Sequence, residues 1–221
     1  VKKANAENIV VKQTNYAKTL AVNGGTSMVN AKGAYQIQAF NQDPHTFESL
    51  VFTHSGNNWN GNGVKGTILG GKLVGDEFVN IDVKEEGKIY FTWKNEIEWK
   101  TNQAPVTNLC WTHIVVVRDE FTNNVRCYVN GVEYLGTYIK GSGIGSDFTQ
   151  FNVNHWIGRD GTPWIDGTWQ KRNHFFNGDI NFVGVSSEVK TPQDIAVAYN
   201  TNKRVISENT SSTIYSAELG A

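Results

Sequence analysis

Residues 176–199 read FNGDINFVGVSSEVKTPQDIAVAY and contain the clearest indication of the architecture of this chain. From Ile180 to Val185 the side chains alternate between two faces, which is the pattern of a β-strand. Thr191 then stands as a helix N-cap before Pro192, and an Ile and a Tyr follow four residues apart. The stretch therefore predicts a strand that leads into one short helical turn. One face of the strand would hold Ile180, Phe182 and Gly184, and the other Asn181, Val183 and Val185.

The composition fits an all-β protein. A chain of 221 residues is within the range of a single sandwich domain and long enough to bury a core. Aromatic residues make up 12% and include seven Trp, so aromatics remain for a surface site, while the 22 Gly and frequent Asn suit turns. Further strands are predicted at 9–11, 19–22, 35–40, 47–53, 67–73, 78–83, 88–93, 96–100, 132–139 and 148–157. Such regular strands with almost no helix indicate a sandwich or barrel.

Domain organisation and charge exclude some classes of protein. We predict one domain over residues 1–207 and an extended Ser/Thr-rich tail over residues 208–221. The chain starts without a signal peptide or an initiator Met, so we expect a processed or excised piece. The net charge of −1 and the lack of a basic block argue against a nucleic-acid partner. No apolar run approaches the roughly 20 residues of a membrane span.

The strongest predicted hairpin covers residues 111–131 and bears on the two cysteines. If its turn centres near Phe121, Cys127 faces Val115 on the opposite strand. Cys110 then lies about five residues further along, roughly 16 Å away at the rise of a strand. A disulfide cannot span that distance, so we predict two buried free thiols.

The first strand of this hairpin is apolar on both faces, as an inner strand pressed between layers requires. We expect Trp111 and Tyr128 to pack in the core and His113 to be a hydrogen-bonded core or interface residue. The pair Asn130-Gly131 predicts a tight turn that reverses the chain.

Three segments together resemble the laminin-G-like, or concanavalin A-like, jelly-roll family. They are WTHIVVV (111–117), RCYVNG (126–131), and WIG (156–158) followed by the stretch 176–199. The resemblance covers residues 111–199 and implies an all-β, two-sheet antiparallel jelly-roll β-sandwich with one short C-terminal helix. Members of the family include lectin domains, sialidase-associated carbohydrate modules, toxin subdomains, pentraxins and some glycosidases, so the fold alone does not select a function.

The loop 158–173 is the leading candidate for a binding site. It contains two tryptophans, Trp164 and Trp169, which would stack on the apolar faces of sugar rings. Arg159, Asp160 and Asp166 would hydrogen-bond the hydroxyls. Alternatively, either Trp folds back onto the sandwich as a lid, or the two Asp side chains share a Ca²⁺ ion.

A second candidate loop surrounds Trp59. Asn58 and other Asn and Gly residues flank this Trp, and Asn amides both donate and accept hydrogen bonds, which suits hydroxyl recognition. The alternative is a turn with an incidental Trp.

Catalysis has weak support in the sequence. Glu96 and Glu98 are two residues apart and would share one face of a strand, and paired carboxylates serve retaining glycosidases. The third acid of the related glycosidases is missing, so a solvated, salt-bridged face is the favoured interpretation. No nucleophile elbow, zinc-protease motif or phosphate-binding loop is present.

The sequence therefore favours a non-catalytic glycan-binding or adhesion module on a cell or particle surface. Its partner would be a glycan or glycoprotein, and its location extracellular, on a cell surface or on a virion. One alternative is a structural subunit of a virion, surface layer or filament that forms a homo-oligomer or larger assembly. A polysaccharide hydrolase or lyase is the second alternative.

Overall fold

The computed structural model describes residues 9–10, 20–22, 35–37, 44–53, 66–72, 78–84, 87–147, 154–158, 176 and 178–203. In chain order, the strands among these residues are β1 Ile9–Val10, β2 Leu20–Val22, β3 Tyr35–Ile37, β4 Thr46–Thr53, β5 Gly66–Lys72, β6 Phe78–Lys84, β7 Lys88–Trp93, β8 Ile97–Thr101, β9 Trp111–Asp119, β10 Asn124–Val129, β11 Val132–Tyr134, β12 Gly136–Lys140, β13 Asn154–Ile157 and β14 Gly178–Ser186. One helix, α1, spans residues 192–203. The predicted tail over 208–221 lies outside the described residues.

The strands form two antiparallel sheets. Sheet one has the order β1-β14-β4-β9-β10-β11, with β2 also paired to β14, and sheet two has the order β12-β8-β7-β6-β5-β13-β3. Strands distant in sequence are neighbours in sheet one, where β4 lies between β9 and β14. This arrangement confirms the predicted jelly-roll β-sandwich with one short helix.

The chain passes from one sheet to the other at Leu135. The sequence predicted a single strand over 132–139, but β11 pairs with β10 in sheet one whereas β12 pairs with β8 in sheet two. A side chain at Gly136 would lie 2.0 Å from the ring of Trp99, so glycine lets the backbone pass close to sheet two. The predicted strand is therefore divided into two short strands.

The hairpin of β9 and β10 forms as predicted, but its register differs by one residue. Asp119 pairs with Asn124, so the turn centres between Phe121 and Thr122 rather than at Phe121. Cys127 therefore pairs with Val116 instead of Val115. Neither cysteine forms a disulfide, as predicted, and Cys127 is buried. Cys110 is exposed, so the prediction that it is buried was wrong: it lies in the turn before β9 rather than within a strand.

The main core lies between the two sheets and β9 contributes to it from one face. Ile114 and Val116 belong to this core, whereas Val115 and Val117 pack with Tyr128 in a second cluster on the opposite face of sheet one. Every residue of β9 is buried, which confirms the prediction of an inner strand. Trp111 and Tyr128 are buried as predicted, and the ring centroids of Trp111 and Phe52 lie 5.6 Å apart.

A β-bulge interrupts the alternation in β14. The register against β4 shifts between Ile180 and Phe182, so Ile180, Val183 and Val185 all face the core. The predicted set of Ile180, Phe182 and Gly184 on one face is therefore wrong, because one extra residue in a strand reverses the faces that follow it. Phe182 is turned to the outer face of sheet one and is only partly buried.

Helix α1 begins with the predicted cap and is longer than the single turn expected. The Asp194 amide donates to the Thr191 hydroxyl at 3.2 Å, and the Thr191 amide donates back to the Asp194 carboxylate at 3.0 Å. Ile195 is fully buried against the outer cluster of sheet one, and the ring of Tyr199 stacks on His113 at 6.1 Å. Both residues pack as predicted. No helix in the described residues has the length and apolar character needed to span a membrane.

Candidate functional site

The residues predicted to bind a glycan lie outside the part of the chain that the structure describes. They are Trp164, Trp169, Arg159, Asp160, Asp166, Trp59 and Asn58. Their roles, and a Ca²⁺ ion held by the two Asp side chains, remain predictions. The described residues contain no group of three or more His, Cys, Asp or Glu side chains that could hold a metal ion.

The structure does describe the base of the larger loop. The Phe176 amide donates to the Gly158 carbonyl at 2.9 Å, and the Gly158 amide donates to the Ile68 carbonyl at 2.8 Å. Phe176 is fully buried, and a side chain at Gly178 would lie 2.0 Å from the Phe52 carbonyl oxygen. These contacts fix both ends of the loop at the start of β5 and explain the aromatic–x–Gly pattern at residues 176–178.

Beside this base lies a set of polar side chains on the outer face of sheet two. Val79, Ile81 and Val83 of β6 face the core, so the residues between them face outward. Strands β7 and β8 alternate in the same way. We call the outward set the outer patch; it comprises Thr67, Asn80, Asp82, Lys84, Tyr90, Thr92, Glu98 and Lys100.

Tyr90 is at the centre of the outer patch. It pairs with Asp82 on one neighbouring strand and with Lys100 on the other. The ammonium groups of Lys84 and Lys100 lie 4.9 Å and 5.5 Å from its ring centroid, within the range of cation–π attraction. Lys100 also donates to the Tyr90 hydroxyl at 3.3 Å. Tyr90 is only 6% exposed.

Asp82 organises the charge of the outer patch. It is 2% exposed, accepts a hydrogen bond from the Thr67 hydroxyl at 2.5 Å and pairs with Lys84 at 2.8 Å. Burial alone would lower the pKa of Lys84, but the adjacent Asp82 carboxylate outweighs burial and raises it. Lys84 therefore stays charged at neutral pH. The side-chain oxygen of Asn80 is buried and has no hydrogen-bond partner among the described residues.

Sequence reasoning missed the outer patch, although its signal is present. Asn80 and Asp82 alternate with apolar residues in β6, which places both on the face opposite the core. Tyr90 occupies a similar place in β7. In the sequence, the tryptophan-rich loops show a stronger chemical pattern than these alternating positions do.

The suggested carboxylate pair does not share a strand. Glu96 lies in the turn before β8, where its two oxygens accept from the amide and hydroxyl of Ser146, each at 2.7 Å. Lys94 approaches it at 3.4 Å. Burial tends to raise the pKa of Glu96, but the bonds from Ser146 outweigh this and lower it. Glu98 is separate, on the outer face of β8, so the geometry predicted for a catalytic pair was wrong.

A second constellation lies on the opposite side of the sandwich, between sheet one and α1. Glu48 of β4 accepts from His113 at 2.8 Å and forms an ion pair with Lys190, which precedes the helix. Burial alone would raise the pKa of Glu48, but the hydrogen bonds from His113 and Lys190 outweigh it and lower the pKa to about 2. His113 is fully buried and hydrogen-bonded, as predicted. Glu48 was not recognised from the sequence.

The fold is similar to that of several solved structures. The CBM40 carbohydrate-binding module of Ruminococcus gnavus IT-sialidase is 15% identical, with a TM-score of 0.54 over 75% of this chain and 96% of that chain. The same module bound to α2,3-sialyllactose is 14% identical, with a TM-score of 0.51 over 72% of this chain and 83% of that chain. A Trypanosoma rangeli sialidase is 12% identical, with a TM-score of 0.51 over 74% of this chain and 23% of that chain. At such low identities these similarities show the fold.

Comparison with curated proteins finds no significant match. A family model described as the concanavalin A-like lectin/glucanases superfamily matches residues 38–196, well over half of the chain. Together with the two-sheet jelly roll and the capped helix that follows its last strand, this match shows that the chain belongs to the concanavalin A-like lectin/glucanases superfamily.

Proposed function

We propose that this protein is a non-catalytic glycan-binding module. The observation that carries the proposal is the outer patch, in which charged and amide groups surround Tyr90 on rigid strands of a lectin-like sandwich. The solved CBM40 structure with sialyllactose supports the proposal, because it is a carbohydrate-binding module with the same fold. Ligand hydroxyls would exchange hydrogen bonds with Asn80, Lys100 and Glu98, since such groups supply both donors and acceptors.

We propose that the loop 158–173 completes this site. The hydrogen bond between Gly158 and Ile68 places the start of the loop one residue from Thr67, which binds Asp82 in the outer patch. We therefore propose that residues of the loop contact the same ligand. Trp164 and Trp169 would supply stacking surfaces, and Arg159, Asp160 and Asp166 would supply hydrogen bonds or hold Ca²⁺.

A binding role is favoured over hydrolysis by the position of Glu96. Glu96 lies in the turn before β8, where the amide and hydroxyl of Ser146 bind its carboxylate, so it connects two turns and is not placed beside Glu98 on the outer face of the strand. General acid–base catalysis by a carboxylate pair needs both groups at one bond. A module of this kind acts where glycans are displayed, so we place it outside the cell or on a cell surface.

A glycan array tests the proposal, with the full chain assayed in Ca²⁺ and again in EDTA. The variants are Lys100→Ala in the outer patch and Trp164→Ala in the loop. Lys203→Ala is the matched control, because this exposed lysine lies on α1 at the other sheet. We expect binding to at least one glycan, weakened about tenfold or more by each site variant and unchanged by the control.

Two results would overturn the assignment. Absence of binding to every glycan on the array would reject the function itself. Binding that survives Lys100→Ala and Trp164→Ala together, in variants whose circular dichroism matches the wild type, would place the ligand elsewhere. Loss of binding in EDTA alone would assign a role to Ca²⁺ and leave the function intact.

A further inference from the structure

A cleft of about 240 Å³ lies between the outer face of sheet one and helix α1. It is on the opposite side of the sandwich from the outer patch, so the two regions share no residue. Strands β4 and β14 form its floor and α1 forms one wall. Among the described residues that line it are Glu48, Phe182, Gly184, Lys190 and Ala198.

The space exists because of two features of β14. Gly184 lies directly opposite Glu48 and has no side chain, and among the described residues a Cβ there would meet no atom closer than 3.9 Å. The bulge between Ile180 and Phe182 turns the Phe182 ring outward, where it lines the cleft instead of joining the core. Bulges commonly redirect a side chain beside a site. The bulge and the glycine thus create a pocket with one aromatic wall.

The polar side of the cleft is an ion pair with unused hydrogen-bonding capacity. Glu48 is 12% exposed and accepts one bond from His113 and one from Lys190. A carboxylate has about four acceptor positions and an ammonium group three donors, so acceptors remain on Glu48 and donors on Lys190. The pair is neutral as a whole. It therefore offers an acceptor and a donor side by side without selecting a charged ligand.

The ion pair is also held rigidly. His113 is fully buried. The centroid of its ring lies 6.4 Å from that of Phe182 and 6.1 Å from that of Tyr199 of α1, on which it stacks. Its bond to Glu48 fixes the carboxylate from below, while Lys190 approaches from the start of the helix. A site whose groups are already positioned loses little entropy when a ligand binds.

We propose that this cleft is a second ligand site, which takes one sugar ring through a vicinal diol. One hydroxyl would donate to Glu48 and its neighbour would accept from Lys190, while the C–H face of the ring lies against Phe182. The volume is below the roughly 300–1,000 Å³ typical of drug-sized sites, which suits a single ring rather than a chain. The proposal does not depend on the outer patch.

Backbone amide NMR shifts test the site in the full chain. The probes are methyl glycosides of glucose, galactose and mannose. Tetrahydropyran-2-methanol is the control that lacks a diol, and glycine is the charged control that lacks one. We expect saturable shifts at Gly184, Lys190 and Ala198 with at least one glycoside and none with either control. The absence of such shifts up to on the order of 50 mM glycoside, or equal shifts with glycine, would reject the site.

Substitutions that fill the cleft complete the test. Ala198→Leu on α1 and Gly184→Val on β14 should each weaken the glycoside response about tenfold or more without removing a polar group. Ala196→Leu is the matched control on the same helix, at a residue outside the cleft lining, and should bind like the wild type. Equal binding by all three variants, with unchanged circular dichroism, would overturn the proposal.

The outer-patch variant Lys100→Ala separates the two sites. It should keep the cleft response even where it abolishes binding on the glycan array. Loss of the cleft response in Lys100→Ala would contradict two independent sites. A cleft response with no array binding would instead leave this inference standing while the proposed function of the outer patch fails.

Discussion

Replacement of Glu48 by Gln should destabilise the fold, because Glu48 of β4 connects β9 and the segment that leads into α1. Its carboxylate accepts from His113 of β9 and pairs with Lys190, which leads into α1. A neutral amide cannot accept both bonds with the same strength, and it leaves the buried imidazole of His113 with a weaker partner. We therefore expect Glu48→Gln to loosen the attachment of α1.

The magnitude follows from the pKa of Glu48. Burial tends to raise this pKa, yet the bonds from His113 and Lys190 lower it from 4.5 to about 2. At about 1.36 kcal/mol per unit, this shift corresponds to about 3 kcal/mol of stability at neutral pH. Because the pKa in the folded state is the lower one, this contribution is complete above about pH 4.5 and disappears as the pH falls through 2. It should have decreased to about 1.4 kcal/mol at pH 3.

Urea unfolding followed by Trp fluorescence measures this contribution. We expect Glu48→Gln to reduce the free energy of unfolding by about 3 kcal/mol at pH 7, and the difference from wild type to shrink by more than half at pH 3. Glu188→Gln, at an exposed carboxylate in the same connecting segment, is the matched control. A difference below about 1 kcal/mol at pH 7, or one that is equal at pH 7 and pH 3, would refute this reasoning.

Two further predictions concern the thiols and the helix cap. Burial raises the pKa of the Cys127 thiol, whereas Cys110 is exposed. A thiol reagent should therefore modify only Cys110 in the native protein and both cysteines in denaturant. Rapid modification of two thiols in the native protein would contradict this. Thr191→Ala removes the N-cap of α1 and should cost about 1 kcal/mol in urea unfolding, whereas Thr201→Ala, at an exposed hydroxyl bonded only within the helix, should cost less. Equal losses in the two Thr variants would argue against the cap.

The elements of the fold that follow from local chemistry were predictable. Asn130 and Gly131 both have positive φ, at 52° and 78°, as the tight turn between β10 and β11 requires. Thr191 and Pro192 likewise predicted the start of α1. In β9 the apolar residues on both faces predicted burial on both sides, since helix and sheet two each cover one face.

Features that depend on pairing between distant strands were not predictable in the same way. Nothing local marks the bulge in β14, because the register of Ile180 and Phe182 is set by β4, which precedes it by more than a hundred residues. The division of the strand at Leu135 likewise depends on the separate partners of β11 and β12. Periodicity gives the faces of a strand only while its pairing is regular.

The same limit applies to the sites. Glu48 and Lys190 are distant in sequence, and neither has a local pattern that predicts an ion pair. In the outer patch, Asp82 and Tyr90 lie on neighbouring strands, but their chemistry appears only when Lys84 and Lys100 approach the same ring. A pattern of tryptophans in loops is visible in the sequence, whereas a cluster assembled across strands is not.

The positions of the two proposed sites constrain how this protein would engage a glycan-bearing surface. The outer patch and the cleft lie on opposite faces of a sandwich whose sheets pack about 10 Å apart, with Phe91 and Ile114 among the core residues between them. A short linear glycan on one face cannot reach the other without passing around an edge. The two sites would therefore bind separate sugars, and because they face opposite directions, binding at both would link glycans on two opposing surfaces rather than raise the affinity for one chain. A protein of this form would connect two glycans instead of binding one with higher affinity.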